Sequence, residues 1–278
     1  MNNYKILEWN VNLQSNTNNE IPAFVGKAIE NIKADIVILT EFVFCENAED
    51  FLQDTFVKNG YDYYPKAKTT SVNEVLIAWK TSKLTLGDEK TIYYEKCSKD
   101  LDVPNFLTLP LVTTDGEILR VAGVRITMTT ENETVAKAED RDINYEKQAK
   151  LRYSEMKKVY DELAKLTDDD SVVLIAGDFN NYRRYTRRPE WNYKKITCKR
   201  KEYTSYTPKG DSYDGDGKKF PPAPEDHFIT KNCCIKDYSY NRDFALFDTS
   251  IYRRGKDNFR GIDSPNPDHA MLIGTLII

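Results

Sequence analysis

No apolar run in this chain approaches the roughly 18 residues that a bilayer-spanning helix needs, which argues against membrane insertion. The opening MNNYKILEWNVN lacks the basic region, apolar core and small-residue cleavage site of a secretory signal. Cysteine is sparse and unpaired in pattern. The five are Cys45, Cys97, Cys198, Cys233 and Cys234, an odd number with no CxxC, which argues against a disulfide framework or a paired-cysteine zinc site. A reducing, cytoplasmic setting is the expectation. Net charge is low as well: 40 Lys and Arg against 44 Asp and Glu give a formal −4, too little to name a partner. There are only two histidines, and each directly follows an aspartate. Internal repeats, heptads and Gly/Ser linkers are absent, so one domain spanning residues 1–278 is expected.

What is present is an alternation of strand and helix patterns. KILEWNV reads as a first strand. Pro22 suits a first helical turn, and Phe24, Val25, Ala28, Ile29 and Ile32 follow at helical spacing. ADIVILTEF and SVVLIAG read as strands buried on both faces, because neither run leaves a polar side. EVLIAW, ILRVAGVRITM, HFITKN and HAMLIGTLII add further strands. From about Ile143 to Leu166, Ala149, Tyr153, Met156, Tyr160 and Leu163 recur at steps of three or four, the clearest helix. The stretch from about Tyr182 to Pro224 is rich in Tyr, Pro, Gly, Lys and Arg, and reads as a basic, aromatic-rich loop or insertion. A solvated basic loop that balances acidic stretches such as ENAEDFLQD and ENETVAKAED is the alternative reading of it.

The polar residues that follow the buried runs carry the chemistry. Asn10 and Asn12 close the first strand, Glu41 the second, and Asp178 and Asn180 the third, in GDFN. Asp226 opens a later strand in PEDHF, and Asp268 and His269 open the last in PDHAML. Functional side chains gather at strand ends in α/β folds. Asn10 and Asn12 lie two apart, hence on one side, as do Asp178 and Asn180 if the extended geometry continues. Glu41, Asp268 and the Asn10 amide are hard oxygen donors, suited to Mg²⁺ or Mn²⁺ rather than zinc. Asp178 could orient or deprotonate a water, and His269 could donate to a phosphate with Asp226 fixing its ring.

Taken in order, WNVN, LTEF, GDFN, EDHF and PDHAMLIGTL resemble the motifs of the endonuclease/exonuclease/phosphatase superfamily, which includes exonuclease III-type and deoxyribonuclease I-like enzymes. The resemblance runs from residue 4 to residue 278. It implies a four-layer α/β sandwich: two packed mixed β-sheets flanked by helices. It implies a metal held by Asn10, Glu41 and Asp268, water activation by Asp178, positioning by Asn180, and an Asp226–His269 pair. The chain departs from the pattern at Asn12, where many apurinic endonucleases carry Asp; this amide is a candidate substrate contact. It departs again in AGVRITM, where several branches carry His. There Arg125 could clamp a phosphate oxygen.

Directly after GDFN, the run from Arg183 to Lys201 includes Arg183, Arg184, Arg187 and Arg188, interleaved with Tyr182, Tyr185, Trp191 and Tyr193. Basic groups neutralise backbone phosphates and aromatic faces stack on unpaired bases. A nuclease acting on DNA or RNA is the resulting expectation. The alternatives are a phosphatase for small phosphates or lipid headgroups, and a catalytically silent binding module on the same fold.

Overall fold

The computed structural model describes residues 2–11, 20–66, 75–88, 90–94, 105–126, 152–180, 200–213, 224–247 and 269–278. One six-stranded sheet has, in spatial order, Cys234–Asn241 (β12), Met271–Ile277 (β13), Asn3–Asn10 (β1), Ile36–Thr40 (β2), Val75–Lys80 (β4) and Tyr61–Tyr64 (β3). The second sheet has Thr204–Tyr206 (β10), Asp226–Lys231 (β11), Val172–Asp178 (β9), Ile118–Arg125 (β8), Asn105–Thr113 (β7) and Leu84–Leu86 (β5), with Ile92–Tyr94 (β6) also on β7. Both sheets are mixed: β1 and β2 are parallel, as are β8 and β9, amid antiparallel neighbours.

Alternation explains the layering. In β2, Ile36 and Ile38 face the second sheet while Val37 and Leu39 face outward; in β9, Val172, Leu174 and Ala176 face the first sheet while Val173 and Ile175 face the other way. The core between the sheets also takes in Ile77, Leu109, Val121 and Leu272. Outside the first sheet lie α1 (Ala23–Ile32) and α2 (Ala48–Thr55), burying Phe24, Val25, Ile29, Phe51 and Leu52 on Leu7, Trp9, Val37 and Leu39. Outside the second lies α3, helical over residues 152–164, with Met156, Val159, Tyr160 and Leu163 against Val173 and Ile175. Each such side chain stabilises the fold by about 1.5–3 kcal/mol when fully buried. The result is a four-layer α/β sandwich, as the sequence motifs implied.

Several elements differ from the sequence reading. Pro22 lies just outside α1, as its N-terminal cap, with extended backbone. The central strand stops at Arg125, short of the ITM read into it. Only residues 152–164 of the helix expected from Ile143 are among those described. Most of the acidic ENAEDFLQD lies in α2, which runs on to Thr55 and whose Ala48, Phe51, Leu52 and Thr55 form one buried face. The stretch read as irregular from Tyr182 contains β10, paired with β11 at Thr204↔Thr230 through Tyr206↔Phe228. The long strand β7 carries a proline at its middle. The Pro110 carbonyl accepts from Gly87 N, so its missing N–H faces the same side, between the segments that pair with β5 and with β6.

A candidate active site at the strand ends

Register brings the functional candidates together. Asp178 ends β9, lies opposite Arg125 across the parallel pair with β8, and lies opposite Asp226 across the antiparallel pair with β11. In the other sheet Asn10 pairs with Thr40, which places Glu41 one residue beyond the end of β2. The chain turns there with Glu41 at φ 54°, a left-handed conformation that a non-glycine residue adopts at a cost of about 1 kcal/mol.

These ends form one hydrogen-bonded cluster. The Asn10 Nδ2 donates to Glu41 Oε1 at 3.2 Å and to Asp178 Oδ2 at 3.0 Å, joining the two sheets. Asp178 Oδ1 accepts from the Asn180 backbone N–H at 2.7 Å, and its Oδ2 from Asn180 Nδ2 at 3.1 Å. Asn180 Nδ2 also donates to the Ile126 carbonyl at 2.6 Å. The extended geometry does not continue past Asp178. Asn180 has φ 47°, and it reaches Asp178 by a local turn rather than by strand alternation. Arg125 lies at the same place: its guanidinium pairs with Glu41 Oε1 at 2.7 Å, so in this structure it holds a carboxylate.

His269 stands just before β13, with Nδ1 2.7 Å from Asp226 Oδ2 and its carbonyl accepting from Trp9 Nε1 at 3.1 Å. With Asp226 on Nδ1, the ring's orientation is fixed and Nε2 is turned to the opposite side. Three residues that sequence motifs did not flag complete this corner. Ser212 Oγ accepts from the backbone N–H groups of both Glu225 and Asp226, at 2.8 and 3.0 Å, while its carbonyl accepts from Ala270 N and Arg242. Ser212 therefore ties the start of β11 to the start of β13. Glu225, buried and one residue before β11, brings Oε2 to 3.8 Å from His269 Nε2. Its position beside Asp226 in PEDHF was the available signal.

The third is Glu8, on the same face of β1 as Asn10 and Ile6, fully buried between the sheets. Thr40 Oγ1 donates to its Oε1 at 3.2 Å; Oε2 has no hydrogen-bond partner among the described residues. Burial, reinforced by the Asp226 and Asp178 charges, holds this carboxyl well above the usual carboxylate range. Asp178 is pushed up to about 7, chiefly by burial and further by Asp226, against the lowering effect of His269 and Arg125.

Asn12, Asp268 and the arginines Arg183, Arg184, Arg187 and Arg188 lie outside the described residues. Among the described residues no three His, Cys, Asp or Glu side chains are grouped as metal ligands would be. The donors that do meet are the Asn10 amide and the Glu41 carboxylate, beside Asp178. Hard oxygens of this kind, few in number, fit Mg²⁺, which keeps several waters and takes only one or two carboxylates. Among the described residues no helix is long and apolar enough to cross a membrane.

No protein-family sequence model and no curated protein sequence matches the chain. Solved structures do match. One is an endonuclease/exonuclease/phosphatase family protein from Bacteroides thetaiotaomicron, at TM-score 0.64 and 13% identity over 99% of this chain and 97% of that one. The fold is that of the endonuclease/exonuclease/phosphatase superfamily. Two further structures with this superfamily fold cover the chain as fully. TDP2 from D. rerio, complexed with single-strand DNA product, matches at TM-score 0.61 and 12% identity over 100% of both chains. A Bacteroides thetaiotaomicron mannosyl-6-phosphatase matches at TM-score 0.63 and 13% identity over 99% of both.

Proposed function

We propose that this chain is a divalent-metal-dependent phosphodiesterase, most specifically a nuclease. The observation that carries the reading is the meeting of Asn10, Glu41, Asp178 and Asn180 in one hydrogen-bonded cluster, with the Asp226–His269 pair at the adjoining strand ends. Asn10 and Glu41 would hold Mg²⁺ or Mn²⁺, with Asp268 as a third donor. An ion held there would supply Lewis-acid polarisation of a phosphoryl oxygen and charge to balance the leaving oxygen.

The remaining work falls to the protein's own groups. Asp178 accepts the proton of the attacking water, and an affinity for protons near neutrality is what that task requires. Asn180 fixes the Asp178 carboxylate. Because its Nδ2 is committed to Asp178 and Ile126, its Oδ1 is the atom that can hold the water. His269, with Asp226 on Nδ1, presents Nε2 to the phosphate.

Nucleic acid as substrate is supported by the basic, aromatic-rich run after Asn180 and by a TDP2 structure of this fold holding single-strand DNA. Reversing charge at Arg183, Arg184, Arg187 and Arg188 should weaken binding of single-stranded DNA or RNA by at least tenfold at low salt. It should also flatten the dependence of log K on log salt by up to about 0.7 for each phosphate that is no longer neutralised. Fluorescence anisotropy across a salt series measures both. An unchanged slope would return the run to the solvent and favour a small phosphate ester, the chemistry named for the mannosyl-6-phosphatase.

A further inference from the structure

Arg125 and Glu41 come from different sheets. Arg125 ends β8, level with Asp178, while Glu41 follows β2. Their ion pair at 2.7 Å therefore spans the cluster, with side chains only 14% and 10% exposed. The oxygen that Arg125 takes, Glu41 Oε1, is the one that also accepts from Asn10. A guanidinium and a divalent cation at this place seek the same carboxylate. A buried carboxylate serves two cations poorly, because their mutual repulsion is weakly screened there. An arriving phosphate changes the balance, since its oxygens match the guanidinium fork at least as well as a carboxylate does.

We propose that Arg125 couples metal binding to phosphate binding: it occupies Glu41 in the free protein and passes to the phosphate when a cation takes that carboxylate. This rests on the reading of Asn10 and Glu41 as the metal-holding pair. Linkage then requires phosphate to tighten metal binding and metal to tighten phosphate binding by one common factor, about tenfold at the scale of such couplings.

Direct contact between metal and phosphate would also produce synergy, so the deciding arm is Arg125→Gln. With the competing cation removed, Mn²⁺ alone should bind about tenfold more tightly than to the wild type, and added inorganic phosphate should gain less. A residue that only clamps phosphate would leave Mn²⁺ affinity unchanged on substitution. A residue that only straps the sheets together would weaken it.

The experiment is a Mn²⁺ titration of the full chain followed by electron paramagnetic resonance of the free ion, with and without inorganic phosphate, paired with calorimetric phosphate titrations. Arg125→Met, which keeps the apolar stem, serves alongside Arg125→Gln, and circular dichroism checks both folds. Unchanged or weaker Mn²⁺ binding in a folded Arg125 variant overturns the coupling. If neither variant folds, absence of a phosphate effect on Mn²⁺ affinity in the wild type overturns it. Glu41→Gln separates the two levels. If it leaves Mn²⁺ affinity untouched, the metal-site reading itself fails; if it weakens binding while Arg125→Gln does nothing, only the coupling fails.

Discussion

Asp178→Asn is expected to lose hydrolytic activity by about 10²–10⁴-fold, the usual worth of a positioned general base, and at the same time to gain stability in alkaline, metal-free buffer. The two effects share a cause. Burial pushes the Asp178 carboxyl from an ordinary 3.8 up to about 7. Between those values the folded state keeps a proton that the unfolded chain has released. Stability therefore falls as pH rises from about 4 to about 7, and the penalty is complete above that window. Asparagine has no charge to desolvate and escapes it. Each pKa unit that separates the folded from the unfolded carboxyl is worth about 1.36 kcal/mol. Against this, the amide accepts at one atom only, so the hydrogen bonds from Asn10 and Asn180 are not all kept. The net gain at pH 8 should be roughly 1–2 kcal/mol, a rise in Tm of a few degrees, and it should vanish near pH 4. Thermal melts in EDTA at the two pH values measure it. A variant less stable than wild type at pH 8 would show that the carboxylate is not held at a cost.

Gly177→Ala should unfold or badly loosen the protein. An added Cβ would lie 1.8 Å from the Val124 carbonyl oxygen and 2.7 Å from its carbon, atoms of the paired strand β8. Backbone cannot yield as a side-chain tip can. β8 and β9 would have to part by more than an ångström, beside the position where Arg125 and Asp178 are in register. A loss of about 4 kcal/mol or more follows, a large share of the 5–15 kcal/mol that holds a typical domain. Gly116, with φ 84° and open space around it, is the control: its alanine variant should cost only about 1 kcal/mol. Urea denaturation midpoints compare the two. A Gly177→Ala midpoint at the wild-type value would mean that the strands are not so close.

The site was legible in the sequence where a buried strand ended in a polar residue. SVVLIAGDFN and ADIVILTEF announce their strands because both faces are apolar, and the next side chain falls at the sheet's edge. The four-layer arrangement followed from motif order. Less visible was anything whose burial depends on a distant partner. Helix α2 hides in an acidic stretch because its charges cover only the outward face. Strand β7 is masked by Pro110, harmless only because β5 and β6 leave a gap beside it. Strand β12 is an edge strand, bulged between Lys236 and Ser239, and CIKDYSYN shows little apolar alternation. In the site, Asn10, Glu41, Asp178 and Asn180 meet, and so do Asp226 and His269. The pairing of Arg125 with Glu41 crosses between two sheets, and no local pattern encodes it. Glu8 and Ser212 escaped for the same reason, whereas Glu225 had a local signal in its place beside Asp226.

The central claim is metal-dependent phosphoester hydrolysis by this cluster. It is tested most directly by a hydrolysis panel in Mg²⁺, Mn²⁺ or EDTA, using single- and double-stranded DNA, an abasic duplex, RNA and small phosphate esters, with wild type beside Glu41→Gln. The expected result is cleavage of at least one nucleic acid by the wild type, lost in EDTA, and in Glu41→Gln recovered only partly and at raised Mg²⁺. Turnover that persists in EDTA, or folded wild-type protein that cleaves nothing in the panel, would contradict it.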